Sequence, residues 1–346
     1  MSENNTIKRL PRIGIRLHGS LTARDCVELA IAADRSGFST AWFAENAFAR
    51  GVLPAAAACA VATKRLQIGA GVFNPFSRHP TMMAMEVGAL DELSGGRAML
   101  SIGAGIGSAV QKIGQSSDKP VVALRDTLAI VRPMLRGEIV NYTGKSFSAE
   151  GVKLDYPTRA DIPIFVAGRG DLTLKLSGER AEGLLISNMC SMEFAGRAAT
   201  QVARSRSAAG RDGVARIVQY MPCAVRKDRK EALRLGKRAV GEMLPGFWAL
   251  SQKVNSAKEG LFAGTDISDD EFETSVHRIK SGEDPVDVLD DKFARAFSLT
   301  GTPDECIARA AEYIEAGINE LALTFDGHAA ADDIALLGEA LQQHLQ

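Results

Sequence analysis

The chain is poor in aromatic side chains, 6% of 346 residues, and in cysteine, of which it has five. Cys26, Cys59, Cys190, Cys223 and Cys306 are far apart, odd in number and form no Cys-x-x-Cys pair. That argues against a disulfide framework or zinc knuckle and predicts reduced thiols in a cytoplasmic protein. Net charge is nearly absent: 41 basic and 42 acidic residues leave −1, so no basic field exists to gather nucleic acid or anionic membrane. No apolar run approaches the ~18 residues of a membrane helix, and the first residues are polar, so neither a span nor export is expected. The histidines form no cluster with metal-ligand spacing, and no metal site is predicted. Internal repeats and low-complexity runs are also missing.

What is present is the composition of a globular protein, 46% hydrophobic and 24% charged. Short runs rich in Ile, Val, Leu and Phe recur at Ile13–Leu17, Thr40–Ala44, Leu66–Val72, Ala98–Gly103, Ile162–Ala167, Gly183–Ser187, Ile217–Val225 and Glu320–Phe325. Such runs predict strands buried on both faces, as in parallel sheets covered by helices. Amphipathic stretches between them predict helices at 21–36, 79–93, 125–135, 171–181, 192–209, 227–240, 303–316 and 331–345. Gly37 and the Gly95-Gly96 pair stand as left-handed stops, and Pro80 near a first helical turn.

Strand–helix alternation closes as a (β/α)8 TIM barrel or spreads as a doubly wound sheet. The first strand runs into His18-Gly19-Ser20 and not into a Gly-x-Gly-x-x-Gly loop, which favours the barrel. The whole chain, 1–346, then reads as one barrel domain with two insertions. One, at about 138–160, carries a β-hairpin around Tyr-Thr-Gly-Lys. The other, at about 240–300 between strands 7 and 8, is too long for one helix and its loops and is expected to be a helical subdomain.

Barrel chemistry sits at the carboxyl ends of the strands. Gly103-Ala104-Gly105-Ile106-Gly107 has its third glycine one residue early for a dinucleotide turn. Its small residues instead let a flat ligand or a neighbouring loop come close. Gly168-Arg169-Gly170 leads from a strand into a helix, so free amides and the Arg charge could hold a phosphate, although a tight turn also explains the glycines. Glu45 would face the barrel mouth as acid, base or hydrogen-bond acceptor, or serve as a structural anchor. His18 is ambiguous, and His79, beside Pro80 at a helix entrance, reads as structural.

Gly71-Val72-Phe73-Asn74-Pro75-Phe76-Ser77-Arg78-His79-Pro80, then Leu90–Arg97, Ile102–Gly105, Ile162–Gly168, Ala181–Gly183 and Gly301–Cys306, resemble in order the bacterial-luciferase-like superfamily. Within it the sequence is most similar to the methylenetetrahydromethanopterin reductase branch, which uses the deazaflavin coenzyme F420. The likeness spans nearly the whole chain and is specific for the superfamily, but not for one reaction. It implies a barrel holding a flavin or deazaflavin at the strand ends, with hydride transfer at the ring. It also implies a bulge with a cis peptide between Gly71 and Val72 behind the ring, and a homo-oligomer, dimer or tetramer.

The residues assigned on this basis are Glu45 and Asn46 to catalysis. Gly71, Val72, Asn74, Gly103, Ala104, Gly168, Arg169, Gly170 and Asn188 are assigned to F420 or FMN, and Arg16 and His18 to a small-molecule substrate. Three departures matter. Asn46 stands where the dehydrogenase branches carry His, and Ile106 where they carry Glu, which disfavours oxidation of an alcohol or sugar phosphate. Arg16 stands where the pterin reductases carry Glu. The leading expectation is an oxidoreductase moving a hydride between F420 or flavin and an organic electrophile. The alternatives are a two-component monooxygenase using reduced FMN and oxygen, and a flavin-binding barrel without turnover.

Overall fold

The computed structural model describes residues 10–325, 327 and 329–344. The polar residues 1–9, the strand-end Asp326 and the last residue of the expected C-terminal helix, Leu345, lie outside them. Eight parallel strands, Arg12–His18, Thr40–Ala44, Gln67–Phe73, Ala98–Gly103, Ile164–Ala167, Gly183–Ile186, Arg216–Val225 and Glu320–Thr324, pair in chain order. The eighth pairs back onto the first, closing a (β/α)8 barrel. All eight predicted strands are barrel strands. The fifth starts at Ile164 because Pro163 has no N–H to enter the ladder, although its carbonyl still accepts from Leu100 at 2.9 Å.

Alternation along each strand divides two cores. Ile13, Ile15 and Leu17 face the helices, while Trp42, Met99, Phe165, Leu185, Val218 and Ala322 fill the barrel interior. Trp42 meets Phe165 edge-on with ring centroids 5.0 Å apart. Below this layer the barrel is sealed by polar side chains. Fully buried Glu320 accepts from Thr40 Oγ1 and Trp42 Nε1, each at 2.6 Å, and is ion-paired with Arg216. Arg216 and Arg12 both donate to Gln67 Oε1 at 2.8 Å. Among the described residues these polar side chains close the interior on this side of the aromatic layer, and the chemistry of such barrels sits at the carboxyl ends of the strands.

The excursion after the fourth strand's helices forms the expected hairpin, Val140–Thr143 with Ser148–Val152. Asp126 fastens it by accepting from Tyr142 Oη at 2.7 Å and from the Ser146 amide at 2.7 Å. The helix after the seventh strand is longer than expected, Arg229–Ser251, and passes through Pro245. It leads into Asn255–Phe262, Asp269–Lys280, Pro285–Val288 and Asp291–Phe297. These helices carry their own apolar cluster around Phe272, Phe293 and Phe297, with Trp248 stacked on Phe272 at 5.6 Å. Three elements were not foreseen: the alanine-rich helix Val52–Ala62, the short helix Gly107–Lys112 and a short strand Leu299–Gly301 beside the end of the seventh.

Candidate active site at the barrel mouth

The upper layer of the barrel is built of small side chains. Ala44, Gly103 and Ala167 stand one layer above Trp42, Ser101 and Phe165, so the mouth is open above a floor that carries two aromatic rings. A cleft of about 340 Å³ opens beside it, past the ends of the second, third and fourth strands, bounded by Glu45, Asn46, Val72, Asn74, Arg78 and Ile106 among others. Register against the fourth strand slips between Ala70 and Phe73, marking a bulge, and the Gly71–Val72 peptide is cis. Gly71 has φ 129°, and a Cβ there would lie 2.1 Å from the Ser101 carbonyl oxygen, so only glycine fits. Its own carbonyl accepts from the Glu45 amide at 3.0 Å, tying the bulge to the end of the second strand.

Val72 is half-buried and lines the cleft. A Cβ on Gly103 would fall 2.5 Å from Val72 Cγ1, so the glycine pair after the fourth strand makes room for the bulge. Ala104 is half-buried beside it. Asn74 Oδ1 accepts from the Phe76 amide at 3.0 Å, and its amide group lies against Gly105.

Glu45 Oε1 accepts from Arg78 Nη2 at 3.1 Å, and Arg78 Nη1 also contacts Glu86. Burial pushes the Glu45 carboxyl above the ordinary carboxylate range; Arg78 opposes this and Glu86 adds to it. Among the described lining residues Glu45 is the one carboxylate of the cleft. Asn46 is exposed and lines it, as does Ile106.

Across the mouth the fifth and sixth strand ends form a second polar group. Arg169 Nη2 donates to the Asn188 carbonyl at 2.8 Å and to Ser187 Oγ, and its guanidinium lies over Phe247 of the inserted helices at 5.0 Å. Its Nη1 and Asn188 Oδ1 are both buried without a hydrogen-bond partner among the described residues. Gly170 precedes the helix Asp171–Arg180 as its N-cap, with open space at its Cα, whereas a Cβ on Gly168 would meet Thr173 at 2.6 Å. Arg169 is thus aimed inward at the sixth strand.

Arg16 rises from the first strand inside the barrel, donating to Thr324 Oγ1 at 3.2 Å with its guanidinium 5.2 Å from the Tyr220 ring centre. Burial holds the Tyr220 phenol well above its usual range. His18 lines an adjoining, mostly apolar pocket with Ala44 and Cys26. The structure therefore gathers Glu45, Asn46, Val72 and Asn74 in one cleft, sets Arg169 and Asn188 opposite, and places Arg16 between the first and eighth strands. Arg78, Ser187, Tyr220 and Thr324 were not singled out from sequence. The inward period of the strands could have found Tyr220 and Thr324.

A closed parallel barrel with a bulged third strand and a cleft at its carboxyl rim is the frame of an enzyme site. The family model for luciferase-like monooxygenase matches residues 7–320, and the chain belongs to that family. It is 28% identical over 292 residues to 5,10-methylenetetrahydromethanopterin reductase of Methanolobus tindarius, covering 84% of this chain and 86% of that one. Among solved structures it superposes on the coenzyme F420-dependent tetrahydromethanopterin reductase of Methanopyrus kandleri with TM-score 0.84 and 22% identity, over 98% of this chain and 100% of that one. The oxygenating constituent of 3,6-diketocamphane monooxygenase from Pseudomonas putida, in complex with FMN, matches with TM-score 0.70 and 19% identity, over 96% of each chain.

Proposed function

We propose that the chain works as one barrel domain with its two insertions, and that it is an oxidoreductase moving a hydride between F420 or a flavin held at the mouth and an organic electrophile. The observation that carries this is the juxtaposition of the Gly71–Val72 bulge and Gly103 with Glu45 on one side and Arg169 on the other. The residues fit such a group. The hollow above the aromatic layer suits a flat ring, and Arg169 Nη1 and Asn188 Oδ1 are a buried donor and acceptor still to be satisfied. When bound, the reduced ring supplies the hydride.

This chain's residues do the rest. Val72, Gly103, Asn74 and Ala104 would hold the ring, and Gly168, Arg169, Gly170 and Asn188 would hold its phosphate-bearing tail. Glu45 is the group that handles the proton for the atom of the electrophile that gains the electron pair, burial raising its carboxyl and the Arg78 pair opposing that rise. Asn46 offers no base for taking a proton from a hydroxyl, which supports reduction over alcohol oxidation. Arg16 and His18 border the side on which the substrate enters.

Anaerobic titration with reduced F420 and reduced FMN, followed by admission of oxygen, tests the reading. Tight binding of F420 without oxygen uptake is expected, and Glu45→Gln should lower turnover far more than affinity. Rapid oxygen consumption with FMN would replace this reading by a two-component monooxygenase; binding without turnover on any electrophile would leave a flavin-binding barrel.

We also propose a cytoplasmic homo-oligomer. Five free, buried thiols support the location. Exposed Val61, Met82, Met85 and Leu93 on the neighbouring helices Val52–Ala62 and Pro80–Ser94 support the association, which light scattering decides. Among the described residues no helix is long and apolar enough to cross a membrane.

A further inference from the structure

Building on Glu45 as the proton-holding group of the cleft, we infer that Glu86, acting through Arg78, is a positioning residue that sets how readily Glu45 takes up a proton. The guanidinium of Arg78 is a fork with one prong on each carboxylate. Nη2 donates to Glu45 Oε1 at 3.1 Å and Nη1 to Glu86 Oε2. The fork packs on an aromatic face: its Cζ lies 4.4 Å from the ring centre of fully buried Phe73, and Nε is buried without a hydrogen-bond partner among the described residues. Arg78 thus serves both carboxylates at once, one through each Nη.

The three side chains are 23%, 22% and 25% exposed, so their charges are screened far less than at an open surface. One guanidinium between two carboxylates leaves the trio a charge of −1 when both are ionised. That excess favours a proton on one of the two acids, and Glu45 is the one that borders the cleft.

Other charged groups near Glu45 are occupied or set apart. Arg50 lines the same cleft but donates to the carbonyls of Gly19 at 3.3 Å and Ser20 at 3.0 Å. His18 lines the adjoining pocket, and His79, the N-cap of the helix Pro80–Ser94, bonds to Thr81 at 2.8 Å. The short helix Gly107–Lys112 presents Ala109 and Val110 to the cleft. Glu86 itself stands on the helix Pro80–Ser94, outside the cleft lining. It can thus tune the carboxyl without touching a substrate.

The test is an infrared titration of the cofactor-free full-length protein, with E45Q subtracted to isolate the Glu45 carboxyl band. In E86Q the fork serves Glu45 alone, and the midpoint should fall by about one pH unit. In R78M it should rise by a comparable amount, and R78K, whose ammonium is a single point charge, should lie between R78M and wild type. A merely structural Glu86 would change the melting temperature and leave the midpoint in place. An unchanged or raised midpoint in E86Q, or an unchanged one in R78M and R78K, overturns the inference. The pH–turnover profile separates this from the functional proposal. If the midpoints move as expected and the turnover limb stays where it was, the coupling stands and the proton role of Glu45 falls.

Discussion

Replacing Gly103 by Ala tests whether the small residues at the barrel mouth exist to accommodate the third-strand bulge. The added Cβ would lie 2.5 Å from Val72 Cγ1 and 3.3 Å from both the Cβ and the carbonyl oxygen of Ala167. The second pair of contacts needs a shift of only a few tenths of an ångström. The first is far inside contact distance, and Val72 is β-branched, so its χ1 has little freedom to yield. Overpacking of this kind costs about 1–3 kcal/mol, of which an off-rotamer valine accounts for about 0.5–1.5 kcal/mol. The rest falls on the bulge backbone, pushing Val72 into the cleft it lines. We expect Gly103→Ala to lose about 1–2 kcal/mol in urea unfolding and to weaken cofactor binding as well. The double variant with Val72→Ala should recover most of both losses, because it removes the clashing methyl groups, and the cycle gives the coupling directly. Full stability and affinity in the single variant, or no recovery in the double, would refute the argument that Gly103 is small for the sake of Val72.

Arg169→Ala should weaken cofactor binding by about 1–3 kcal/mol, roughly 5- to 150-fold in Kd by fluorescence titration, the scale of a lost charge-assisted hydrogen bond. Unchanged affinity would remove the phosphate assignment and leave Arg169 as a tie between the sixth strand and Phe247. In the insertion, Lys292 and the Ser268 cap hold Glu271 down from 4.5 to about 2, so its contribution to stability is present above pH about 4.5 and lost as pH falls toward 2. Hydrogen exchange should show the helix Asp269–Lys280 loosening over that interval, and Lys292→Met should narrow it; protection independent of pH would contradict the pairing.

All the barrel strands were legible because each is a short apolar run buried on both faces, a pattern that does not depend on its neighbours. The helix Val52–Ala62 was missed for the opposite reason: its run of alanines has no polar face and so no 3.6-residue period to detect. The strand Leu299–Gly301 is three residues long and exists only because the end of the seventh strand is there to pair with it. In the site, Glu45 and the Gly71–Val72 bulge could be read from local motifs. Arg78 stood inside one such motif and was given no role, because its partner Glu45 is 33 residues away.

From its sequence alone this protein's element order, its barrel class, its lack of a membrane-length apolar run and its superfamily could be determined, since these rest on local periodicity, composition and contiguous motifs. Only the tertiary structure decided that Arg169 turns inward to Ser187 and Asn188, that Arg16 meets Thr324 across 308 residues of chain, and that one arginine is shared by two glutamates. Closure of the barrel brings the carboxyl ends of distant strands to one rim. Which side chains then touch is set by strand register and by the space left where a neighbour is small.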